Sequence, residues 1–375
     1  MSTPDRTTLV TCAGTGGGPG TLGRVNVDRV LLAAPRGFCA GVEMAIKALT
    51  WMVRIFEPPV YCYHEIVHNR VVVDRFRQLG VVFVDAIEDV PVGVPLMLSA
   101  HGSAPEVVAA AQRNGGIVIN AVCPLVTKVH HEARVRAGKG FQIIYIGHEG
   151  HDEAMGTMAV APDAMHLVES PADVEALALG AAPVALLAQT TLSHHDWADV
   201  LATAQKQYPS MWIPGHSDLC YATTNRQNAL KAMALRVDAV VVIGSANSSN
   251  TVALAKVARA AGCERVYRVN SADELPADLS GIVGVTAGAS APEELVDAVI
   301  TRLAPTNGVE IVRVTDEDEY FPPPRELREL LPAIAAVAAL GLYAPMPTGA
   351  TFQDDRAIAA SDVLAGLAGS AGLAE

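Results

Sequence analysis

No two cysteines of this chain are close enough to form a CxxC pair, no stretch is rich in lysine and arginine, and no apolar run is long enough to cross a bilayer. Each absence removes a class of protein. The six cysteines stand singly at positions 12, 39, 62, 123, 220 and 263, so a disulfide framework is not expected, and the reducing cytoplasm is the expected compartment. The first 27 residues lack the apolar core of an export signal. The longest apolar stretch, LLPAIAAVAALGLYAPM from Leu330 to Met346, contains two prolines, so no membrane partner is expected. Formal net charge is -13, and a nucleic-acid binder needs a basic footprint that this chain does not have. Aromatics make up only 5% and charged residues 18%, against 50% hydrophobic residues, which is the balance of an α/β protein packed with small aliphatics.

What is present is one theme, repeated. A short β-branched run ends in a small polar loop, and a helical pattern follows. RVLLAAPRGFCAGVEMAIKALTWMV, VPLMLSAHGSAPEVVAAAQRN, FQIIYIGHEGHDEAMGTM and DAVVVIGSANSSNTVALAKVARAAG all read this way. Near-continuous aliphatic strands alternating with helices predict parallel sheets covered on both faces, with ligands gathered at the carboxyl ends of the strands. The expected divisions are a disordered glycine-rich tail over 1–27, three similar α/β domains over 28–122, 123–217 and 218–312, and over 313–375 a charged, proline-broken strap (DEDEYFPPPRELRELL) with a loosely ordered Ala/Gly-rich tail.

Three of the cysteines occupy matching places. Cys39 in FCAGVEMAIKA, Cys123 in VCPLVTKVHHE and Cys220 in LCYATTNRQNALKAM each stand at the mouth of a predicted helix. Pro124 suits a first helical turn and Thr223, Thr224 and Asn225 offer capping side chains. A helix N-terminus favours the thiolate that a metal needs. Cys62, inside the apolar YCYHEIV, and Cys263 read as packing residues, and Cys12 as incidental. Three thiolates suit a zinc ion with a fourth ligand or water, or a cuboidal iron–sulfur cluster with one iron left open. The cysteines alone leave both open.

A second set of residues lies in loops after strands: His68 in EIVHNR, His101 in SAHGS, His148 and His151 in IGHEGHDE, Ser248, Ser249 and Asn250 in GSANSSN, and Ser290 in GASAP. Neutral-to-cationic imidazoles, hydroxyls and backbone N–H groups at helix starts are what an anion pocket requires. These loops lack the carboxylate cluster of a magnesium-bridged phosphate site. There is no nicotinamide or flavin fingerprint, no phosphate loop and no G-x-S-x-G elbow.

PRGFCAGV, HEIVHNR, SAHG, CPLVTKVH, IGHEGH, GTM, QTTLS, CYATTNRQ, GSANSSN and GVTAGASAP follow one another in this order over roughly residues 28–330. Together they resemble the 4-hydroxy-3-methylbut-2-enyl diphosphate reductases, which close the methylerythritol phosphate route to isoprenoids. The resemblance implies three α/β domains in a trefoil around a central 4Fe–4S cluster, one per chain, held by Cys39, Cys123 and Cys220 with the fourth iron open to substrate. It implies reduction of a small allylic diphosphate to isopentenyl and dimethylallyl diphosphate, with electrons from a donor such as ferredoxin or flavodoxin. His68, His101 and His151 match residues around the substrate, and Ser248, Ser249, Asn250 and Ser290 match other diphosphate contacts. Glu153 matches the proton donor and Thr190 its hydrogen-bonding partner. The chain departs from the usual GHPEVEGTM, having Asp152 for proline and Met155 for the second glutamate, and Ala34 stands where asparagine commonly precedes PRGFC. Those departures keep a rival in view, a paralogue with altered substrate or a cluster-bearing regulatory protein without turnover.

Overall fold

The computed structural model describes residues 26–341 and 355–370. Residues 1–25 of the tail expected over 1–27, with Cys12, and the stretches 342–354 and 371–375 lie outside them, while Asn26 and Val27 begin a strand. The first part of the chain forms β1 (Asn26–Ala34), α1 (Ala40–Ile55), β2 (Val60–Tyr63), α2 (Arg70–Gln78), β3 (Val81–Val84), β4 (Leu96–Leu98), α3 (Pro105–Arg113) and β5 (Val118–Asn120). The middle forms α4 (Pro124–Gly138), β6 (Gln142–Ile146), α5 (Asp152–Met158), β7 (Met165–Val168), α6 (Pro171–Ala176), β8 (Val184–Ala188) and α7 (His194–Gln207). The last part forms α8 (Tyr221–Ala234), β9 (Ala239–Ile243), α9 (Ser249–Ala260), β10 (Val266–Val269), β11 (Ser280–Ala287), α10 (Glu293–Leu303), β12 (Val309–Arg313), α11 (Arg325–Gly341) and α12 (Ala360–Ser370).

The strands make three sheets, ordered β10-β9-β11-β1-β12, β3-β2-β4-β5 and β7-β6-β8. Every pairing is parallel, as the aliphatic runs predict. The strands β8 (VALLA) and β9 (AVVVI) are buried at every residue, which only a strand covered on both faces allows. Each fully buried valine or leucine contributes roughly 1.5–3 kcal/mol. Local chemistry sets the helix starts: Asn69 Oδ1 accepts from the N–H groups of Val71 and Val72 at α2, and Ser170 and Asp173 form a capping box at α6.

The described residues fall into two compact units. One comprises the chain up to Phe38, Thr191–His195 and Tyr221–Asp318; the other comprises Cys39–Thr190, Asp196–Cys220 and the chain from Glu319 on. The first is built on the five-stranded sheet and the second on the other two. One strand departs from the expected 28–122 domain: β1 pairs with β11 and β12 rather than with β2–β5. Its run VLLAA is apolar enough for the centre of any parallel sheet, so its partners are chosen by tertiary packing, not by composition.

The strap and tail are also better tied than expected. Residues 325–341 and 360–370 are helical. Glu43 on α1 accepts the Ala360 N–H at 2.8 Å, and buried Lys47 donates to the Asp355 carbonyl at 3.2 Å. Leu364 and Leu367 of α12 are buried. Among the described residues, no helix is long and apolar enough to cross a membrane.

Candidate functional site

Each of the three singled-out cysteines immediately precedes a helix. Cys39 caps α1, Cys123 caps α4 with Pro124 in its first turn, and Cys220 precedes α8. All three belong to the second unit. Gly41 shows how closely two of them gather: a Cβ there would stand 2.9 Å from Cys123 Sγ and 3.9 Å from Cys39 Sγ. Glycine is required because backbone and sulfur share the space. Burial raises the Cys123 thiol, and the charges of Cys39 and Cys220 raise it further, against the N–H groups of Leu125 and Val126. Three thiolates so close repel one another unless a cationic centre lies among them. The donor set therefore fits a thiolate-ligated metal centre. Cys62, wholly buried on β2, and Cys263, buried in an aliphatic cluster, lie apart from this arrangement as packing residues.

Four side chains from three loops of the same unit meet next. His68 and His101 stack with ring centroids 3.8 Å apart, and His151 meets His68 edge-on at 5.1 Å. The Glu153 N–H donates to His151 Nδ1 at 3.2 Å. That nitrogen must carry a lone pair, so the neutral ring has its proton on Nε2, a buried donor with no hydrogen-bond partner among the described residues. Burial lowers His151 to about 4 and holds His101 well below its ordinary value. Asp152 completes the group. Its Oδ1 accepts from His64 Nδ1 at 2.8 Å, and Oδ2 lies 3.8 Å from His68 Nε2 and 3.7 Å from His101 Nδ1. Burial pushes the Asp152 carboxyl up, but the bond from His64 and the surrounding imidazoles outweigh it and the net shift is downward. The same bond raises His64. Gly156 lets α5 reach this place, since a Cβ there would stand 2.9 Å from the Gly102 carbonyl oxygen.

Glu153 is 2% exposed, and both its oxygens are held by one residue. The Thr190 N–H donates to Oε1 at 2.7 Å and Thr190 Oγ1 donates to Oε2 at 3.0 Å. Burial raises the carboxyl to about 7 even though both bonds from Thr190 pull it down. Thr190 also accepts the Cys220 N–H on its carbonyl at 3.0 Å, and the Cys123 N–H donates to Ala100, the neighbour of His101, at 3.0 Å. The carboxyl and the imidazoles are thus tied by backbone bonds to the cysteine loops. A group poised at neutrality in a dry site is suited to proton transfer.

The serine and asparagine positions belong to the first unit. Ser248 caps α9, its Oγ accepting from the Thr251 N–H at 3.3 Å. Asn250 is buried with both ends engaged: Oδ1 accepts from the Ala289 N–H at 2.9 Å, and Nδ2 donates to Thr223 Oγ1 at 3.3 Å. The bond from Ala289 joins the GSANSSN loop to GASAP, which carries Ser290. Ser249 lies in the first turn of α9. His148 is not part of the histidine cluster; its ring faces Glu169 at 3.7 Å.

Two residues that sequence reasoning passed over matter here. Asp218 is buried, accepts the Ala188 N–H at 3.1 Å, lies 3.5 Å from Lys128 Nζ, and is raised by burial to about 6. Arg226 is fully buried and donates to the Gly37 carbonyl at 2.7 and 3.0 Å, to Phe38 at 3.1 Å and to Glu317 at 2.9 Å. It fixes the chain just before Cys39. Lone charged residues in an acidic chain carry no spacing signal. The letters HEIVH (64–68) do match H-E-x-x-H, but the segment is a bend, not a helix.

Fold and site together define a parallel α/β protein that converges three cysteine thiols and places a near-neutral carboxyl and a histidine cluster in the same unit. The family model described as LytB protein matches residues 30–304. A relative from Rhodopirellula baltica named 4-hydroxy-3-methylbut-2-enyl diphosphate reductase is 47% identical over 306 residues, covering 80% of this chain and 96% of that protein. A relative of the same name from Mycobacterium ulcerans is 46% identical over 306 residues, with 80% and 92% covered. Among solved structures, the E-1-hydroxy-2-methyl-but-2-enyl-4-diphosphate reductase of Plasmodium falciparum matches with a TM-score of 0.79 at 31% identity, covering 82% of this chain and 99% of that one. The chain belongs to the LytB family.

Proposed function

We propose that this chain is an iron–sulfur reductive dehydroxylase that converts 4-hydroxy-3-methylbut-2-enyl diphosphate to isopentenyl and dimethylallyl diphosphate. One observation carries the reading: three cysteines at helix N-termini lie in the same compact unit as a buried carboxyl raised to about 7. Members of this family use an iron–sulfur cluster, and Cys39, Cys123 and Cys220 would hold it here as a 4Fe–4S centre. When bound, such a cluster supplies reducing electrons and a Lewis-acidic iron without a protein ligand.

The net change takes up two electrons and two protons, breaks the allylic C–O bond, forms a C–H bond and releases water. Hydroxide is a poor leaving group, so a proton must arrive as the C–O bond breaks. Glu153 holds that proton, and the two bonds from Thr190 fix the direction in which the carboxyl presents it. A positioned general acid contributes roughly 10²–10⁴-fold in such a step. A bound dianionic or trianionic diphosphate would disfavour a second negative charge and help keep the acid protonated. The proposed substrate contacts are His68, His101, His151, Thr190, Ser248, Ser249, Asn250 and Ser290. The Nε2 proton of His151 is a donor ready for a substrate oxygen. The electrons come from an outside one-electron donor of the ferredoxin or flavodoxin kind.

Anaerobic purification followed by an assay with 4-hydroxy-3-methylbut-2-enyl diphosphate and a chemical reductant tests the reading. A brown protein with about four irons per chain that releases both products is expected. A colourless zinc protein, or an iron-loaded one without turnover, overturns it.

A further inference from the structure

His64 and His68 carry the letters of a zinc motif, yet the bend between β2 and α2, where His64 has φ 57, gives them different places. His64 Nδ1 donates to Asp152 Oδ1 at 2.8 Å and so turns Oδ2 toward His68 Nε2 and His101 Nδ1, at 3.8 and 3.7 Å. Those two separations are too long for hydrogen bonds. They lie a few tenths of an ångström above the roughly 3.3–3.6 Å that two ligand atoms span when each is about 2.0–2.2 Å from one ion at a tetrahedral angle, so a small approach of the three side chains would seat an ion. The two imidazole nitrogens and the carboxylate oxygen all lie within 4.8 Å of one another. The surroundings are also those of a metal site. A ligating carboxylate is usually oriented by a hydrogen bond to its other oxygen, which His64 supplies, and a ligating imidazole usually has a carboxylate behind its second nitrogen. Glu65 Oε2 stands 3.6 Å from His68 Nδ1.

We propose that His68 Nε2, His101 Nδ1 and Asp152 Oδ2 form a second metal site, separate from the cysteines, for a borderline transition-metal ion of the Zn²⁺ class. Two imidazoles and one carboxylate suit such an ion better than Mg²⁺ or Ca²⁺, which take oxygen ligands. Three protein ligands leave a coordination position for water, and the unpartnered Nε2 proton of His151 is edge-on to the group. Asp152 is the residue by which this loop departs from the proline usual in the reductases it resembles, so the site belongs to chains with an acid here. An ion held by His68 and His101 withdraws both imidazoles from a diphosphate. That consequence rests on the proposed function; the binding of the ion does not.

The test is a calorimetric titration of Zn²⁺ into the anaerobic, cluster-loaded enzyme, with the cluster absorbance followed throughout. One Zn²⁺ per chain is expected, weakened at least tenfold in Asp152→Asn and, through the outer shell, by roughly tenfold in Glu65→Gln. Asp152→Pro guards against misfolding, because Asp152 is the first residue of α5 and proline is well accepted there; it should abolish the site. No Zn²⁺ binding by the wild type, or wild-type affinity kept in Asp152→Asn and Asp152→Pro, overturns the proposal. In activity assays Zn²⁺ should inhibit the wild type and spare Asp152→Pro. Equal inhibition of both, with the titrations still different, sinks the shared use of the imidazoles and leaves the metal site standing.

Discussion

In the unit built on the five-stranded sheet, the buried Asn250 and Arg226 are held by several hydrogen bonds each. Asn250 uses both ends of its amide, and Arg226 spends its guanidinium on three carbonyls and the Glu317 carboxylate. In the other unit, buried polar groups are displaced along the proton scale: Glu153 is raised to about 7, Asp218 to about 6, and His151 is lowered to about 4, each chiefly by burial. The first arrangement holds and positions; the second is suited to storing and moving protons. Tight packing alone does not separate them, since both units have aliphatic strands buried at every residue. In the second unit the desolvated groups are carboxyls and imidazoles, whose charged forms burial disfavours.

If that contrast is right, the largest effect comes from the thiols. Cys123→Ser should lose the cluster and all turnover, measured as iron content and activity, whereas Cys62→Ala should keep both. Full iron retention in Cys123→Ser refutes the assignment. Next is Arg226→Met, which leaves the Gly37 and Phe38 carbonyls and Glu317 without their partner. Removing one member of a buried pair costs about 3–5 kcal/mol, so urea denaturation should show a lowered midpoint. A loss under 1 kcal/mol, on the order of an exposed pair, would mean that Arg226 is dispensable to the first unit.

Glu153→Gln should retain the cluster and bind substrate while turning over at least tenfold more slowly. Its pH behaviour follows from the sign of the shift. The folded carboxyl keeps its proton up to about 7, while the unfolded chain releases it at the ordinary, lower value. Stability of the cluster-free chain should therefore fall as pH rises between those values and level off above them. Turnover that needs the acid should fall as pH rises through about 7 in the free enzyme, and Glu153→Gln should flatten that limb. An unchanged limb in the variant assigns the proton to another group, with His151 the first to examine. The smallest effect belongs to Asn250→Ala. It removes the Ala289 and Thr223 contacts, at roughly 1–3 kcal/mol for a buried group left unpaired, and should raise KM roughly tenfold with kcat nearly kept. A fall confined to kcat would move this residue from positioning to chemistry.

Much of this was legible in the chain itself. Runs such as AVVVI and VALLA announce doubly covered parallel strands, and glycine, proline and threonine around Cys39, Cys123 and Cys220 announce helix mouths, because both signals are local. The pairing of β1 with β11 and β12 was not, since it is decided by partners more than two hundred residues away along the chain. Asp218 and Arg226 escaped notice because an isolated charge shows its burial only once the fold surrounds it. Asp152 was visible as a substitution, but not as the point where His64, His68 and His101 meet.

The crowding of thiols around Gly41 also bears on how the chain survives before it is loaded. Disulfide formation and alkylation both run through the thiolate. Cys123, raised first by burial and then by the nearness of Cys39 and Cys220, keeps its proton in the cluster-free chain. Three sulfurs held this close would otherwise be prone to cross-link with one another. The reluctance of Cys123 to ionise keeps that sulfur chemically quiet in the cluster-free chain, and the arriving iron is what converts it into a ligand. Loading should accordingly release the Cys123 proton.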